Sequence, residues 1–250
     1  MSVENKVVLI TGAARGLGFE YARSLGAAGA RIVAGDVADC SEAAAAAGNG
    51  AISVTLDVTD VLSADAMVEM AMDSFGQIDA LINNAALYGA LRGGRFNLIA
   101  EADWDAAMAV NVKGIWNCCK AAVPVMRRQG KGKIINVSSG TIWMGTPQYL
   151  HYVSSKGAVF ALTRSLAREL SGSGINVNTL TPGYTMTEAA TSLADRETIE
   201  ILKREVVSAQ IIKRSEQPAD LAPTVVFLAS DASDFITGQA FNVDGGAALH

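Results

Sequence analysis

The stretch that decides the fold is Lys6-Val7-Val8-Leu9-Ile10-Thr11-Gly12-Ala13-Ala14-Arg15-Gly16-Leu17-Gly18. Lys6–Thr11 is a β-branched, apolar run of strand character, and a helical pattern, Gly16–Ala28, follows the glycines. A glycine at a strand-to-helix turn adopts backbone geometry that a Cβ forbids and lets the main chain approach a ligand closely. The helix N-terminus behind it presents unpaired N–H groups and a partial positive charge, which suit a pyrophosphate. Gly12, Arg15, Gly16, Leu17 and Gly18 are therefore candidate contacts to a dinucleotide. Asp36 lies about 20 positions further on, closing a second strand-like run, where a carboxylate can bind the hydroxyl pair of a ribose. A structural glycine turn, or the similar turn of a methyltransferase, is the alternative. The strand before, the helix after and the acid at this distance favour a dinucleotide.

Working outward, Arg31–Asp36, Ala51–Asp57, Asp79–Asn83, Lys133–Ser138 and Gly174–Leu180 read as further strands, and Phe241–Val243 as a closing one. Ser63–Phe75, Asp103–Arg128 and Tyr149–Leu170 read as helices, and the alanine-rich Glu42–Ala47 as a short one. This alternation implies βαβ units and a parallel sheet with helices on both faces. The strands are too apolar to leave one face in water. No repeat or Pro/Ser-rich linker breaks the pattern, so residues 1–250 read as one domain. A mixed, partly helical insertion at about 183–212 has the character of a mobile lid.

Half of the residues are hydrophobic and 18% are charged, which excludes a disordered chain. A net charge of −5 gives no electrostatic reason to expect nucleic acid or an anionic membrane. Cys40, Cys118 and Cys119 form neither a disulfide framework nor a metal spacing, and no metal is expected. There is no signal-peptide pattern and no uninterrupted run of 18 apolar residues. A soluble cytoplasmic enzyme acting on a small molecule is the expectation.

The glycine spacing of Gly12, Gly16 and Gly18, with Tyr152-x-x-x-Lys156 downstream, resembles the short-chain dehydrogenase/reductase family over essentially the whole chain. Asp57-Val58, Asn83-Asn84-Ala85, Asn111-Val112, Ser138-Ser139, Pro182-Gly183 and Asp244-Gly245-Gly246 follow in the family's order. The resemblance implies a doubly wound, Rossmann-type α/β domain with a seven-stranded, mainly parallel sheet, a homotetramer and a nicotinamide dinucleotide cofactor, and the Asp36 carboxylate, which would repel a 2′-phosphate, makes NAD the expected one. The resemblance also implies roles. Ser139 would hydrogen-bond the substrate oxygen, Tyr152 act as acid/base, and Asn111 anchor a water-linked relay to Lys156. Asp57 and Val58 would bracket adenine, with Asn84 near the nicotinamide ribose, which Lys156 also contacts. Past Pro182 and Gly183, Thr185 would clamp the carboxamide and Thr187 touch the phosphates. Ala86 departs from the pattern, since the family usually has glycine there, and its methyl is expected to crowd the backbone near that ribose.

The Tyr–Lys pair also stands on chemistry. Residues four apart share a helix face. A tyrosine with its ordinary pKa of about 10 is a poor base at neutral pH. A neighbouring ammonium and a positive nicotinamide ring both favour the phenolate. His151 points about 100° away from Tyr152 on the same helix and is no substitute base. Cys118 and Cys119, and Met67, Met70 and Met72, are packing residues by this reading.

For the substrate pocket, the resemblance draws on Tyr88–Phe96, Thr141–Leu150 and the insertion. Tyr88, Leu91, Phe96, Ile142, Trp143, Met144, Tyr149 and Leu150 make the first two apolar, which suits a ligand fixed by few polar groups. Arg92 and Arg95 are read as solvated loop residues. Similarity around Ser139 and at Phe235–Gln239 to 1-phenylethanol dehydrogenases points to an aryl-alkyl or alicyclic secondary alcohol. Two rivals are a 3-oxoacyl-carrier-protein-type reductase, which would want NADPH, and a non-catalytic dinucleotide-binding protein. Asp36 and the net acidity weigh against the first, Arg15 mildly for it; the intact Tyr–Lys pair weighs against the second.

Overall fold

The computed structural model describes residues 2–191 and 195–249. Seven parallel strands form one sheet in the order β3-β2-β1-β4-β5-β6-β7. They are β1 (Val7–Thr11), β2 (Arg31–Asp36), β3 (Ile52–Thr55), β4 (Ala80–Asn83), β5 (Gly132–Val137), β6 (Ile175–Pro182) and β7 (Ala240–Val243). The chain starts at the centre, winds outward through β2 and β3, then returns to the other side of β1, where Val8 pairs with both Ile32 and Ala80. This reversal creates a crevice at the carboxyl ends of the strands, where open α/β sheets bind ligands.

Helices cover both faces: α1 (Gly16–Ala27), α2 (Ser41–Ala47), α3 (Val61–Phe75), α4 (Glu101–Met108), α5 (Gly114–Gln129), α6 (Thr141–Met144), α7 (Leu150–Glu169), α8 (Glu188–Thr191), α9 (Arg196–Ala209) and α10 (Pro218–Ala229). Alternate β1 side chains supply two cores, as a strand buried on both faces must. Val8 and Ile10 pack with Tyr21 and Leu25 of α1 and Leu221 and Val225 of α10. Val7 and Leu9 pack with Met67 of α3, Cys118 and Met126 of α5 and Val159 of α7. Met70 is exposed, so of the three methionines of α3 only Met67 is fully buried. Across β4, β5 and β6 runs a buried polar ladder. Asn83 Nδ2 donates to Asn136 Oδ1 (2.8 Å), Asn136 Nδ2 to Thr163 Oγ1 (2.9 Å), and Thr179 Oγ1 to Thr163 Oγ1 (2.8 Å).

The structure departs from the sequence expectation in two elements. The single helix expected over Asp103–Arg128 is interrupted by a π-helical turn, Ala109–Lys113, between α4 and α5. And α10, which the sequence reading left unassigned, is a full helix whose first turn is set by Asp220 Oδ2 accepting the Gln217 N–H (2.8 Å). No described helix is long and apolar enough to cross a membrane.

Candidate active site

The glycine turn joins β1 to α1 at the crevice. Gly12 has φ +69°, and a Cβ on it would stand 2.7 Å from Ala85 Cα; one on Gly18 would stand 2.1 Å from the Gly12 oxygen. Only glycine fits this compact turn, and it leaves the α1 N-terminus open to a pyrophosphate. Asn84 braces the turn from β4, its Nδ2 donating to the Thr11 and Gly12 carbonyls (3.1 and 2.9 Å). Thr11 Oγ1 in return accepts the Asn84 and Ala85 N–H groups, both at 3.0 Å. Asp36 is oriented by the same loop, accepting Ala14 N–H on Oδ2 and Ala38 N–H on Oδ1, both at 3.1 Å. Arg15 is exposed, and Leu17 packs against the α1-side core. Asp57 shapes a turn, its Oδ1 accepting the Thr59 N–H and hydroxyl (2.8 and 2.7 Å). Val58 is buried beside it, its carbonyl taken by Asn117 Nδ2 (2.9 Å). Ala86, just after β4, is exposed.

From β5 and α7 come the candidate reacting groups Ser139, Tyr152 and Lys156. Tyr152 and Lys156 are buried one turn apart, with the Lys156 Nζ 5.7 Å from the Tyr152 ring centroid. Burial pushes the Tyr152 phenol up to about 12, while a hydrogen bond with Ser139 pulls the other way. Burial likewise brings the Lys156 amine down to about 8. Lys156 Nζ donates to the Val137 carbonyl (2.8 Å) and Ser138 Oγ to the Lys156 carbonyl (2.7 Å), which fixes α7 against the end of β5. Asn111, in the π turn, is fully buried. Its Oδ1 accepts the Leu87 N–H (2.7 Å), and its Nδ2 donates to the Leu87 carbonyl (3.2 Å) and Ser155 Oγ (3.0 Å). The Asn111 side chain thus ties the segment after β4 to α7, and it bonds neither Tyr152 nor Lys156.

A wall of tyrosines faces this group. The Tyr88 ring lies 4.7 Å from that of Tyr152 and 5.9 Å from that of Tyr149, with Leu91 and Ala107 closing the cluster. Tyr184, which the sequence reading did not single out, joins from the loop after β6; its burial and its Tyr149 neighbour raise its pKa. An aromatic directly after Pro182-Gly183 was the available signal. Phe96, Met144 and Leu150 of the expected lining are exposed, Ile142 is half-buried, and Trp143 packs edge-on against Phe160. His151 is fully buried, stacked 6.4 Å from Tyr149. Beyond Pro182 and Gly183, Thr185 is buried, and the Thr187 methyl lies 3.5 Å from where a Gly16 Cβ would stand. The loop therefore spans from the end of β6 to the glycine turn. Among the described residues no group of three or more His, Cys, Asp or Glu is placed to hold a metal.

At the carboxyl ends of the central strands stand together a glycine turn that opens on a helix N-terminus and a buried Tyr152–Lys156 pair, in a chain whose fold and motifs are those of a short-chain oxidoreductase. Residues 12–248 match the family model described as Enoyl-(Acyl carrier protein) reductase, and the chain belongs to this branch of the short-chain dehydrogenase/reductase family. It is 36% identical over 247 residues to the 3-oxoacyl-[acyl-carrier-protein] reductase FabG of Staphylococcus aureus, covering 96% of this chain and 97% of that protein. Its fold is similar to a crystal structure of 3-ketoacyl-(acyl-carrier-protein) reductase from Brucella melitensis complexed with NADH. That likeness has a TM-score of 0.92 and 30% identity, over 99% of this chain and 100% of the other. A levodione reductase structure is similar with a TM-score of 0.89 and 28% identity, over 97% of each chain.

Proposed function

We propose that this oxidoreductase interconverts a secondary alcohol and its ketone with NAD, and that the alcohol is aryl-alkyl or alicyclic. The observation that carries the reading is the buried Tyr152 phenol, with Ser139 near enough to lower its pKa, set against the apolar wall of Tyr88, Leu91 and Tyr149. The nicotinamide supplies or accepts the hydride. Ser139 holds the substrate oxygen, and Tyr152 removes the alcohol proton in oxidation or donates one in reduction. Lys156, held on the Val137 carbonyl, favours the phenolate by its charge and contacts the nicotinamide ribose. Asn111 fixes α7 and anchors the proton relay to Lys156.

On the cofactor side, Gly12, Arg15, Gly16, Leu17 and Gly18 receive the pyrophosphate, Asp36 the adenosine ribose, and Asp57 and Val58 the adenine. Asn84 braces the turn next to the nicotinamide ribose. Pro182, Gly183, Thr185 and Thr187 close over the carboxamide and phosphates. NAD is favoured over NADP because a 2′-phosphate would meet the oriented Asp36 carboxylate and, at Val37, no second cation. The NADH in the Brucella neighbour supports a dinucleotide of this type.

A second reading, reduction of a 3-oxoacyl thioester, is favoured by the FabG likeness and by exposed Arg92 and Arg95 on the loop whose Gly94 N–H donates to the Gln148 carbonyl (2.8 Å). The levodione reductase likeness favours a free ketone. Initial rates with NAD(H) and NADP(H) on 1-phenylethanol, cyclohexanol, a sugar alcohol and a 3-hydroxyacyl thioester decide between them. Highest catalytic efficiency on the thioester or the sugar alcohol would refute the apolar-pocket reading and leave the oxidoreductase intact.

A further inference from the structure

Behind the loop that follows β6 sits a carboxyl group with no part in the reaction above. Glu216 is buried, its Oε1 accepting the Thr185 hydroxyl at 2.5 Å and its Oε2 having no hydrogen-bond partner. Its backbone oxygen accepts the Met186 N–H (2.9 Å), and Thr185 and Glu216 pair as a parallel bridge. A Cβ at Gly183 would stand 2.8 Å from both Glu216 Oε2 and Asp244 Cβ, so the glycine is what admits the carboxyl. On the other side is α1, where the buried, unpartnered Tyr21 hydroxyl feels the Glu216 charge. One carboxyl therefore holds the loop and lies beside the helix that opens on the pyrophosphate turn.

We propose that Glu216 is a positioning residue whose ionised carboxylate, by holding Thr185, keeps the loop after Pro182 in the shape that closes on the dinucleotide. The proposal rests on the reading that this loop contacts the cofactor. An ionised acceptor makes a bond roughly twice as strong as a neutral one, so protonation of Glu216 loosens Thr185. Burial pushes Glu216 up to about 7, with the Thr185 hydrogen bond and the nearby Gly183 backbone N–H opposing the rise and the Asp244 and Asp220 charges adding to it. The other groups facing it are Tyr21 of α1 and Arg214, whose guanidinium is already committed to Asp220 through two bonds of 2.6 Å. Cofactor affinity should accordingly fall on acidification through neutrality.

The test is an NADH fluorescence titration from about pH 5.5 to 8.5 on the wild type, Glu216→Gln, Glu216→Ala and Thr185→Val, with a melting curve of each apoprotein. In the wild type, Kd should rise about threefold to tenfold as pH falls through 7; Glu216→Gln should be flat across the range. Glu216→Ala and Thr185→Val should bind about tenfold more weakly at neutral pH. The melting curves read the same carboxyl without cofactor. Between 4.5 and about 7 the folded state keeps a proton that the unfolded chain has lost. Stability relative to Glu216→Gln must then decline as pH rises across that window. A Glu216→Gln profile that keeps the wild-type slope overturns the proposal, as does wild-type affinity in Thr185→Val, the variant to read if Glu216→Ala does not fold. A wild type that binds neither NADH nor NADPH refutes the cofactor reading itself, a result distinct from tight binding that the variants leave untouched.

Discussion

At the scale of single residues, the site is a set of titratable groups moved away from their ordinary pKa values by burial. Tyr152→Phe should leave NAD binding nearly intact and lower turnover by a factor on the order of 10² or more, as loss of a placed acid/base does; near wild-type turnover would remove the central claim. In the proposed reaction alcohol oxidation needs the Tyr152 phenolate, and burial holds that phenol up at about 12. The oxidation rate should therefore climb from neutral to alkaline pH, with the positive nicotinamide ring helping the phenolate to form. Lys156 gives a stability signature of its own. Between about 8 and its ordinary 10.5 the folded state has shed a proton that the unfolded chain still binds, so stability rises with pH there. Lys156→Met should abolish that rise in urea denaturation series recorded at about pH 8 and 10. Asp36→Ala should shift cofactor preference toward NADP, and equal efficiency with both cofactors in the wild type would contradict the Asp36 argument. These residues were legible in the sequence because each obeys a fixed spacing from a glycine or a partner four residues away. Glu216 was not legible: it meets Thr185 only through a loop that returns to the sheet edge, and nothing local marks it.

At the scale of elements, every expected strand and most expected helices formed, with boundaries moved by a residue or two; two-sided burial gives the central strands β1, β4 and β5 an unmistakable apolar run, while the edge strands β3 and β7 are only partly buried. The π turn escaped notice for a physical reason. Apolar periodicity continues from α4 into α5, and one extra residue per turn shows only in the backbone. Helix α10 escaped for another. Its sequence carries prolines at 218 and 223, residues that disfavour a helix interior, yet Pro218 occupies the first turn, where its missing N–H costs nothing. The cysteines behaved as packing residues, with burial pushing the Cys118 and Cys119 thiols up to about 12 and away from reactivity. The polar ladder of β4, β5 and α7 makes a sharper prediction. Asn136→Ala takes from the buried Asn83 amide its oxygen acceptor, leaving only the Cys119 sulfur, while Thr163 keeps Val159 and Thr179, so the cost should be about 1–3 kcal/mol for the one group left short. Urea denaturation measures it, and a loss below about 0.5 kcal/mol would mean that the ladder is hydrated rather than dry.

At the scale of the whole molecule, the sheet leaves apolar surface that it does not itself cover. Trp116 of α5 is 53% exposed with Lys120 stacked on its ring, and Phe235 projects fully into solvent. Such surface fits the homotetramer expected from the family, and light scattering should return about four times 26.0 kDa. A stable monomer at micromolar concentration would contradict it. The strand order has a further consequence for a chain made from one end to the other. The glycine turn is complete once β4 has paired with β1, and the Tyr152–Lys156 pair once α7 has packed. The wall behind Thr185, however, is built from Glu216 and Asp244, and β6 gains its outer neighbour only with Ala240–Val243. On the proposed reading the Tyr152–Lys156 pair is therefore present during translation before the cofactor can be gripped, and a nascent chain stalled short of the residues from 211 to 250 should stay inert until the ribosome lets them go.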